Sequence, residues 1–126
     1  MIVVGVDPGR TTGLCVFADG RFTEGREART YTEVRDYIDY WWPDLTIVED
    51  YKIRPHKGSD YHPPIRMIGA VDFMCEERRL RAMIQSPSAT TLTIGMTRGM
   101  HKSRHVRSAC AHVIYYLKKQ GLYAES

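Results

Sequence analysis

The chain is organised around its opening stretch, Ile2-Val3-Val4-Gly5-Val6-Asp7-Pro8-Gly9-Arg10-Thr11-Thr12-Gly13-Leu14-Cys15-Val16-Phe17. An apolar, β-branched run ends at an acid, Pro8-Gly9 forces a turn, and a second apolar run follows at Leu14–Ala18. This pattern predicts a strand, a tight turn and a returning strand. Apolar residues at consecutive positions are typical of central strands that are covered on both faces.

The carboxylate of Asp7 has two interpretations. At the end of a buried strand it loses part of its hydration and therefore needs a partner, for which a metal ion is the obvious candidate. Alternatively, Asp7 only opens the turn, because Asp before Pro-Gly is ordinary turn chemistry. This stretch by itself supports the metal-ligand and the turn interpretation of Asp7 about equally.

The rest of the chain predicts the order β-β-β-α-β-α-β-α, a five-stranded mixed sheet with helices on both faces. The later elements are an edge strand at 21–29, a helix capped by Thr30 or Thr32 and ending near Trp41, a strand at 45–48, a helix at 64–79, a strand at 80–84 that breaks at Gln85, and a helix that begins at Ser103. We expect residues 51–63 to form a loop that is long enough to be functional or mobile. A length of 126 residues suits one domain, 1–126.

The predicted strand at 45–48 also ends in acids, Glu49 and Asp50. Parallel neighbours bring such ends together at one edge of a sheet. We therefore expect Glu49 to lie near Asp7, with Asp50 on the opposite face because side chains alternate along a strand.

Charge is distributed unevenly along the chain. Residues 1–77 hold fourteen acids and nine Lys or Arg, whereas residues 78–126 hold nine Lys or Arg and one acid, Glu125. Such asymmetry favours a polyanionic partner. The alternative is a solvated basic face with no partner.

Composition indicates a soluble globular protein, with 43% hydrophobic and 26% charged residues. The start of the chain lacks a basic leader, and no apolar run approaches membrane-spanning length, so we expect no signal peptide and no membrane partner. Cys15, Cys75 and Cys110 are odd in number and lie among apolar residues. They are predicted to be reduced core thiols of a cytoplasmic protein.

Three motifs follow one another along the chain in an order that is typical of one protein family: Val4-Gly5-Val6-Asp7-Pro8-Gly9, then Ile47-Val48-Glu49, then His105-x-x-Ser108-Ala109. Together they resemble the RuvC family of Holliday-junction resolvases, most closely its short phage-type members. That family has the ribonuclease H-like fold, so the resemblance implies an α/β protein of that fold. It also implies that the protein is located in the cytoplasm of a bacterial or phage-infected cell.

The resemblance implies four metal-binding positions, filled in the family by an Asp, a Glu and two residues three apart on the last helix. Asp7, Glu49 and His105 match the first three and are the expected ligands of Mg²⁺ or Mn²⁺. Ser108 stands at the fourth position, where one branch of the family has Asp. The implied activity is hydrolysis of DNA phosphodiesters at branched junctions, with Asp7, Glu49, His105 and Ser108 as the catalytic set and a second ion left one carboxylate short.

The expected partners are branched DNA such as four-way junctions and a second copy of the chain. The predicted DNA contacts are Arg10, Arg54, Lys57, Arg98, Lys102, Arg104 and Arg107. A homodimer is expected because a junction has two-fold symmetry. Its predicted surface is the helix at 64–79, through Met67, Ile68, Val71, Met74 and Cys75.

Three other interpretations compete with a junction nuclease. His101 and His105 are four apart, a spacing seen in zinc sites, but no third soft ligand follows; His101 and His112 are otherwise expected to face phosphates or solvent. The first turn also resembles a phosphate loop of actin-like ATPases, which need two such domains. The strongest rival is a RuvC-like junction-binding protein with weak or no cleavage, which Ser108 favours.

Overall fold

The computed structural model describes residues 1–51 and 62–123 of the chain. Five strands form one sheet: β1 (Ile2–Asp7), β2 (Thr12–Ala18), β3 (Arg21–Ala28), β4 (Leu45–Glu49) and β5 (Ala82–Gln85). Their spatial order is β3-β2-β1-β4-β5, with β1 antiparallel to β2 and parallel to β4. The predicted α/β fold, its mixed sheet and the edge position of β3 are therefore confirmed.

Three helices cover the two faces of the sheet: α1 (Tyr31–Trp41), α2 (His62–Glu77) and α3 (Arg104–Lys119). Thr30, one of the two predicted caps, accepts a hydrogen bond from the Glu33 amide and begins α1. Two short 3-10 turns, Pro87–Thr90 and Ile94–Thr97, lie between β5 and α3. No helix in residues 1–51 and 62–123 combines the length and apolarity that crossing a bilayer requires.

Helix α2 and strand β5 have boundaries that differ from the predicted ones. Helix α2 begins two residues before Pro64, which is compatible with a proline in the first helical turn. Strand β5 begins at Ala82 rather than Leu80, because Arg79 adopts a positive φ of 57° and the Leu80 amide donates to the Cys75 carbonyl, which closes α2. At its other end β5 continues through Gln85, which pairs with Glu49 instead of breaking the strand.

The core consists of two layers, one on each face of the sheet. Val4, Val6, Leu14, Val16 and Val48 point towards α1 and α2. The alternate strand positions Val3, Cys15, Phe17, Leu45 and Ile47 pack against α3. All three cysteines are buried and free, as predicted.

The apolar face of α2 belongs to the first of these layers. Met67, Val71, Met74 and Cys75 are buried, and Ile68 packs against the same cluster. The prediction that these residues supply the dimer surface is therefore wrong, because the chain's own sheet covers them. Helical spacing shows that a face is apolar but does not show what covers it.

Helix α3 approaches the sheet at backbone distance, and two glycines make this possible. A Cβ at Gly5 of β1 would lie 2.6 Å from the Ala109 carbonyl oxygen and 2.8 Å from Cγ2 of Val113. A Cβ at Gly13 of β2 would overlap the carbonyl group of His105. The first two turns of α3 therefore rest on β1 and β2 without intervening side chains.

Replacing Gly13 with Ala should destabilise the fold by about 1–3 kcal/mol, because overpacking forces rigid backbone to move. Gly69→Ala is the matched control, since a Cβ there meets nothing within 4 Å and Gly69 lies inside α2. That control should stabilise the fold by up to about 1 kcal/mol through helix propensity. Urea unfolding of both variants measures the two effects, and equal stability of Gly13→Ala and the parent chain would contradict the close approach.

Candidate active site

Two carboxylates meet at one edge of the sheet. Strands β1 and β4 are parallel neighbours with Val6 opposite Val48, so Asp7 and Glu49 follow at adjacent strand ends. Strand alternation places both side chains on the face that α3 covers. They line an open cleft of about 870 Å³. Asp50, expected on the opposite face, also lines this cleft.

The two carboxyl groups interact strongly. Burial raises the pKa of Asp7 to about 8, and hydrogen bonding and Coulomb repulsion with Glu49 act in the same direction. The Ser108 hydroxyl and the charge of His105 lower the same pKa by smaller amounts. The site therefore disfavours two uncompensated negative charges, and a cation would relieve this.

The start of α3 supplies the other side of the cleft. Ser103 caps the helix by accepting a hydrogen bond of 3.2 Å from the Val106 amide. Its hydroxyl donates to Glu27 of β3 at 2.7 Å, which ties the cap to the sheet. His105 and Ser108, in the first and second turns, line the same cleft as Asp7 and Glu49. His101 precedes the helix, so it does not share a helical face with His105 as the zinc interpretation required.

The donor set fits a hard divalent cation only in part. Mg²⁺ in proteins is held by one or two carboxylates, with water and substrate oxygens completing its shell. Asp7 and Glu49 provide such a pair. Within the described residues no three His, Cys, Asp or Glu side chains are grouped to hold a metal together, so His105 lines the cleft without completing a three-residue site.

Solved structures resemble this chain over nearly its whole length. A structure of Thermus thermophilus RuvC in complex with a Holliday junction substrate has a TM-score of 0.79 and 18% identity, with 97% of this chain and 98% of that chain covered. The fowlpox virus Holliday junction resolvase has a TM-score of 0.66 and 12% identity, with 94% and 99% covered. This chain has the RuvC fold. No protein-family model and no curated protein sequence matches it.

Two of the predicted DNA contacts lie at the cleft of this RuvC fold. Arg10 and Arg104 line it. Arg98 lines a smaller adjoining cavity of about 350 Å³, and Lys102 is exposed on the segment before α3. The other two predicted contacts, Arg54 and Lys57, lie outside the described residues.

Arg107 has a contact that the sequence did not indicate. Its Nη1 donates to the carbonyl oxygens of His101 at 2.8 Å and Lys102 at 2.9 Å. The side chain therefore fixes the segment that leads into α3. Only Nη1 makes these two bonds, and a guanidinium has five N–H donors, so a phosphate contact by Arg107 stays a prediction.

The sequence analysis missed His112 and Gln85. His112, expected to face phosphates or solvent, is fully buried, and its Nδ1 lies 2.6 Å from Oε1 of Gln85. Its Nε2 lies 3.2 Å from Oε1 of Glu49. Burial lowers the pKa of His112 to about 4, so the ring is neutral near neutral pH. Helical spacing was the available signal, because His112 follows Ser108 by four residues on the same face.

The raised pKa of Asp7 predicts how metal-free protein responds to pH. Between about pH 4 and pH 8 the folded chain holds a proton that the unfolded chain has lost. Stability should therefore fall as pH rises through this window. Asp7→Asn has no carboxyl group to ionise and lacks this dependence. Between pH 5 and pH 8 its free energy of unfolding should therefore rise, relative to that of the parent chain, by at least about 1.4 kcal/mol, the equivalent of one pKa unit.

The measurement is urea unfolding at pH 5 and pH 8 with a metal chelator present. Comparing the two chains cancels the ionisable groups that do not interact with Asp7. A stability difference that is the same at both pH values would show that Asp7 ionises normally in the folded chain.

Proposed function

We propose that this protein is a metal-dependent, structure-selective DNA endonuclease that resolves Holliday or other branched junctions. The observation that carries the proposal is the Asp7–Glu49 carboxyl pair, held at one sheet edge in the RuvC fold. Carboxylates are the natural ligands of hard cations, and phosphodiester hydrolysis by such cations uses sites of this kind. The cleft is open and basic at its mouth, as a polyanionic substrate requires.

The structural neighbours support the choice of substrate. Thermus thermophilus RuvC and the fowlpox virus resolvase were both solved with Holliday junction DNA. Arg10 and Arg104 line the cleft and Arg98 lines the smaller cavity beside it, and we assign these side chains and Lys102 to contacts with the phosphate backbone. Phosphate contacts position nucleic acid without reading its sequence. The substrate is therefore chosen by its shape.

The chemistry assigns a role to each side chain of the cleft. Asp7 and Glu49 would hold Mg²⁺ or Mn²⁺, which neutralises charge on the scissile phosphate and makes a bound water acidic. As water oxygen bonds to phosphorus and one bridging P–O bond breaks, the water's proton needs an acceptor. We assign this role to His105, which lines the cleft. The hydroxyl group of Ser108 can hydrogen-bond to Asp7 or orient a bound water, but it adds no charge to the site.

A homodimer remains part of the proposal. Two symmetric cuts in a junction require two sites related by a two-fold axis. The buried residues of α2 cannot form the interface. Phe73, on the same helix, is 61% exposed and is one candidate for that role.

The competing function is junction binding with weak or no cleavage. Ser108 is the observation that favours it, together with the incomplete metal group. Asp7 and Glu49 supply two carboxylates, whereas the His-x-x-Asp branch that the motifs resemble supplies three. Occupancy of a second ion depends on the number of anionic ligands, because the two ions repel each other.

Ser108→Asp should accelerate junction cleavage. A carboxylate at this position would lie about one turn from His105 and beside Asp7, so it could join the ligands without backbone movement. The rate should rise by roughly tenfold or more, which requires only about 1.4 kcal/mol of added stabilisation of the transition state. Single-turnover cleavage of a four-way junction during Mg²⁺ and Mn²⁺ titrations measures it.

Ser108→Asn is the matched control, since it has the size of Asp without the charge and should not accelerate cleavage. Asp7→Asn should abolish cleavage in either background. A parent chain that binds junctions but cuts none, even as Ser108→Asp, would favour the binding protein. A parent chain that already cuts as fast as Ser108→Asp would show that the fourth carboxylate is dispensable.

Junction binding should weaken steeply with salt, because the contacts are with phosphates. Replacing Arg104 with Ala should weaken binding to all junction sequences alike and reduce the slope of log affinity against log salt by about one. Arg21→Ala removes the same charge from the far end of the sheet, since Arg21 pairs with Ala18 while Asp7 pairs with Gly13. Fluorescence anisotropy measures both variants, and identical slopes would place the DNA elsewhere.

A further inference from the structure

One buried polar atom in the described structure has no hydrogen-bond partner although it faces the active site. It is Nε2 of His112, whose ring is fully buried and whose nearest carboxylate oxygen, Oε1 of Glu49, lies 3.2 Å away. The distance is that of a hydrogen bond, but the direction is not. Leaving a buried polar group unpaired is unfavourable, so the contact calls for an explanation.

The surroundings of His112 show that it lies behind the cleft. Glu49 and Gln85 are paired residues of the parallel strands β4 and β5, so their side chains lie side by side on the face that α3 covers. His112 inserts between them, with Nδ1 towards Gln85 and Nε2 towards Glu49. Glu49 lines the cleft, whereas His112 and Gln85 do not.

We propose that His112 is a positioning residue for Glu49, and that Gln85 supports the imidazole by hydrogen bonding to its other ring nitrogen. The inference rests on the proposed function, because it concerns the orientation of a carboxylate assigned to a divalent cation. A ligand carboxylate held by a second group loses less freedom when it binds a cation, and such supporting groups commonly change affinity by about 10–100-fold.

The tautomer follows from the charges. An ionised Glu49 oxygen at 3.2 Å repels a bare nitrogen lone pair, so the ring proton must lie on Nε2 when Glu49 is a carboxylate ligand. Nδ1 is then an acceptor and must receive a hydrogen bond from the amide nitrogen of Gln85. A half-turn of that amide provides it, because the oxygen and nitrogen of a Gln side chain exchange places on rotation. A small rotation of the Glu49 carboxylate aligns the second bond, as catalytic hydrogen bonds often tighten on loading.

His112→Phe keeps a ring in the core and removes both nitrogens. We expect Mn²⁺ affinity, measured by calorimetry without DNA, to fall about tenfold or more. His112→Gln can place an amide nitrogen near the position of Nε2 and should stay within about threefold of the parent chain. Val113→Ala controls for a loosened α3, since Val113 is buried beside Gly5 and does not line the cleft. It should lose stability but not Mn²⁺ affinity.

Two further measurements keep the inference testable if His112→Phe does not fold. Nitrogen-15 NMR of the parent chain with Mg²⁺ should find the ring proton of His112 on Nε2. Gln85→Leu should also weaken Mn²⁺ binding, because it removes the group that holds Nδ1 of His112.

Several results would overturn the inference: parent-like Mn²⁺ affinity in His112→Phe, an equal loss in Val113→Ala, a ring proton on Nδ1 with Mg²⁺ present, or a parent chain that does not bind Mn²⁺. Failure of the proposed function would look different. The chain would bind Mn²⁺ with the expected dependence on His112 and still cut no junction.

Discussion

Contact between the backbone of α3 and the backbone of β1 and β2 is the constraint on which the site depends. Gly5 and Gly13 remove the side chains that would separate them. Because the helix lies this close, residues in its first turns reach the edge of the sheet where Asp7 ends β1. The Ser103–Glu27 hydrogen bond then fixes where the helix begins. Packing of small residues therefore sets the position of polar ones.

The same packing makes two negative charges in the site electrostatically unfavourable when no cation is bound. Covering the end of β1 desolvates Asp7, and parallel pairing places Glu49 beside it. A chain selected only for stability would not bury one carboxyl group against another. A cation bound by both carboxyl groups would compensate this charge. Burying the two carboxyl groups together therefore lowers the stability of the metal-free chain and, by the same charge, favours the proposed cation.

Helix α3 carries three polar residues along one face: His105, Ser108 and His112. The first two line the cleft, while the third lies under it and contacts Glu49 from behind. A single helix therefore provides both the wall of the site and a support for one of its carboxylates. Its opposite end is basic, with Lys118 and Lys119 in the last turn, where they complement the helix dipole.

The sequence by itself determined the sheet, its order of elements and the meeting of Asp7 with Glu49. Alternation, turn chemistry and strand ends are local signals in the sequence. Parallel pairing of two strands then brings the residues at their ends side by side. Only the tertiary structure decided which way His112 points, what Arg107 contacts and what covers the apolar face of α2. Those outcomes depend on groups that are distant in the chain, and spacing along one helix identifies a face without identifying what packs against it.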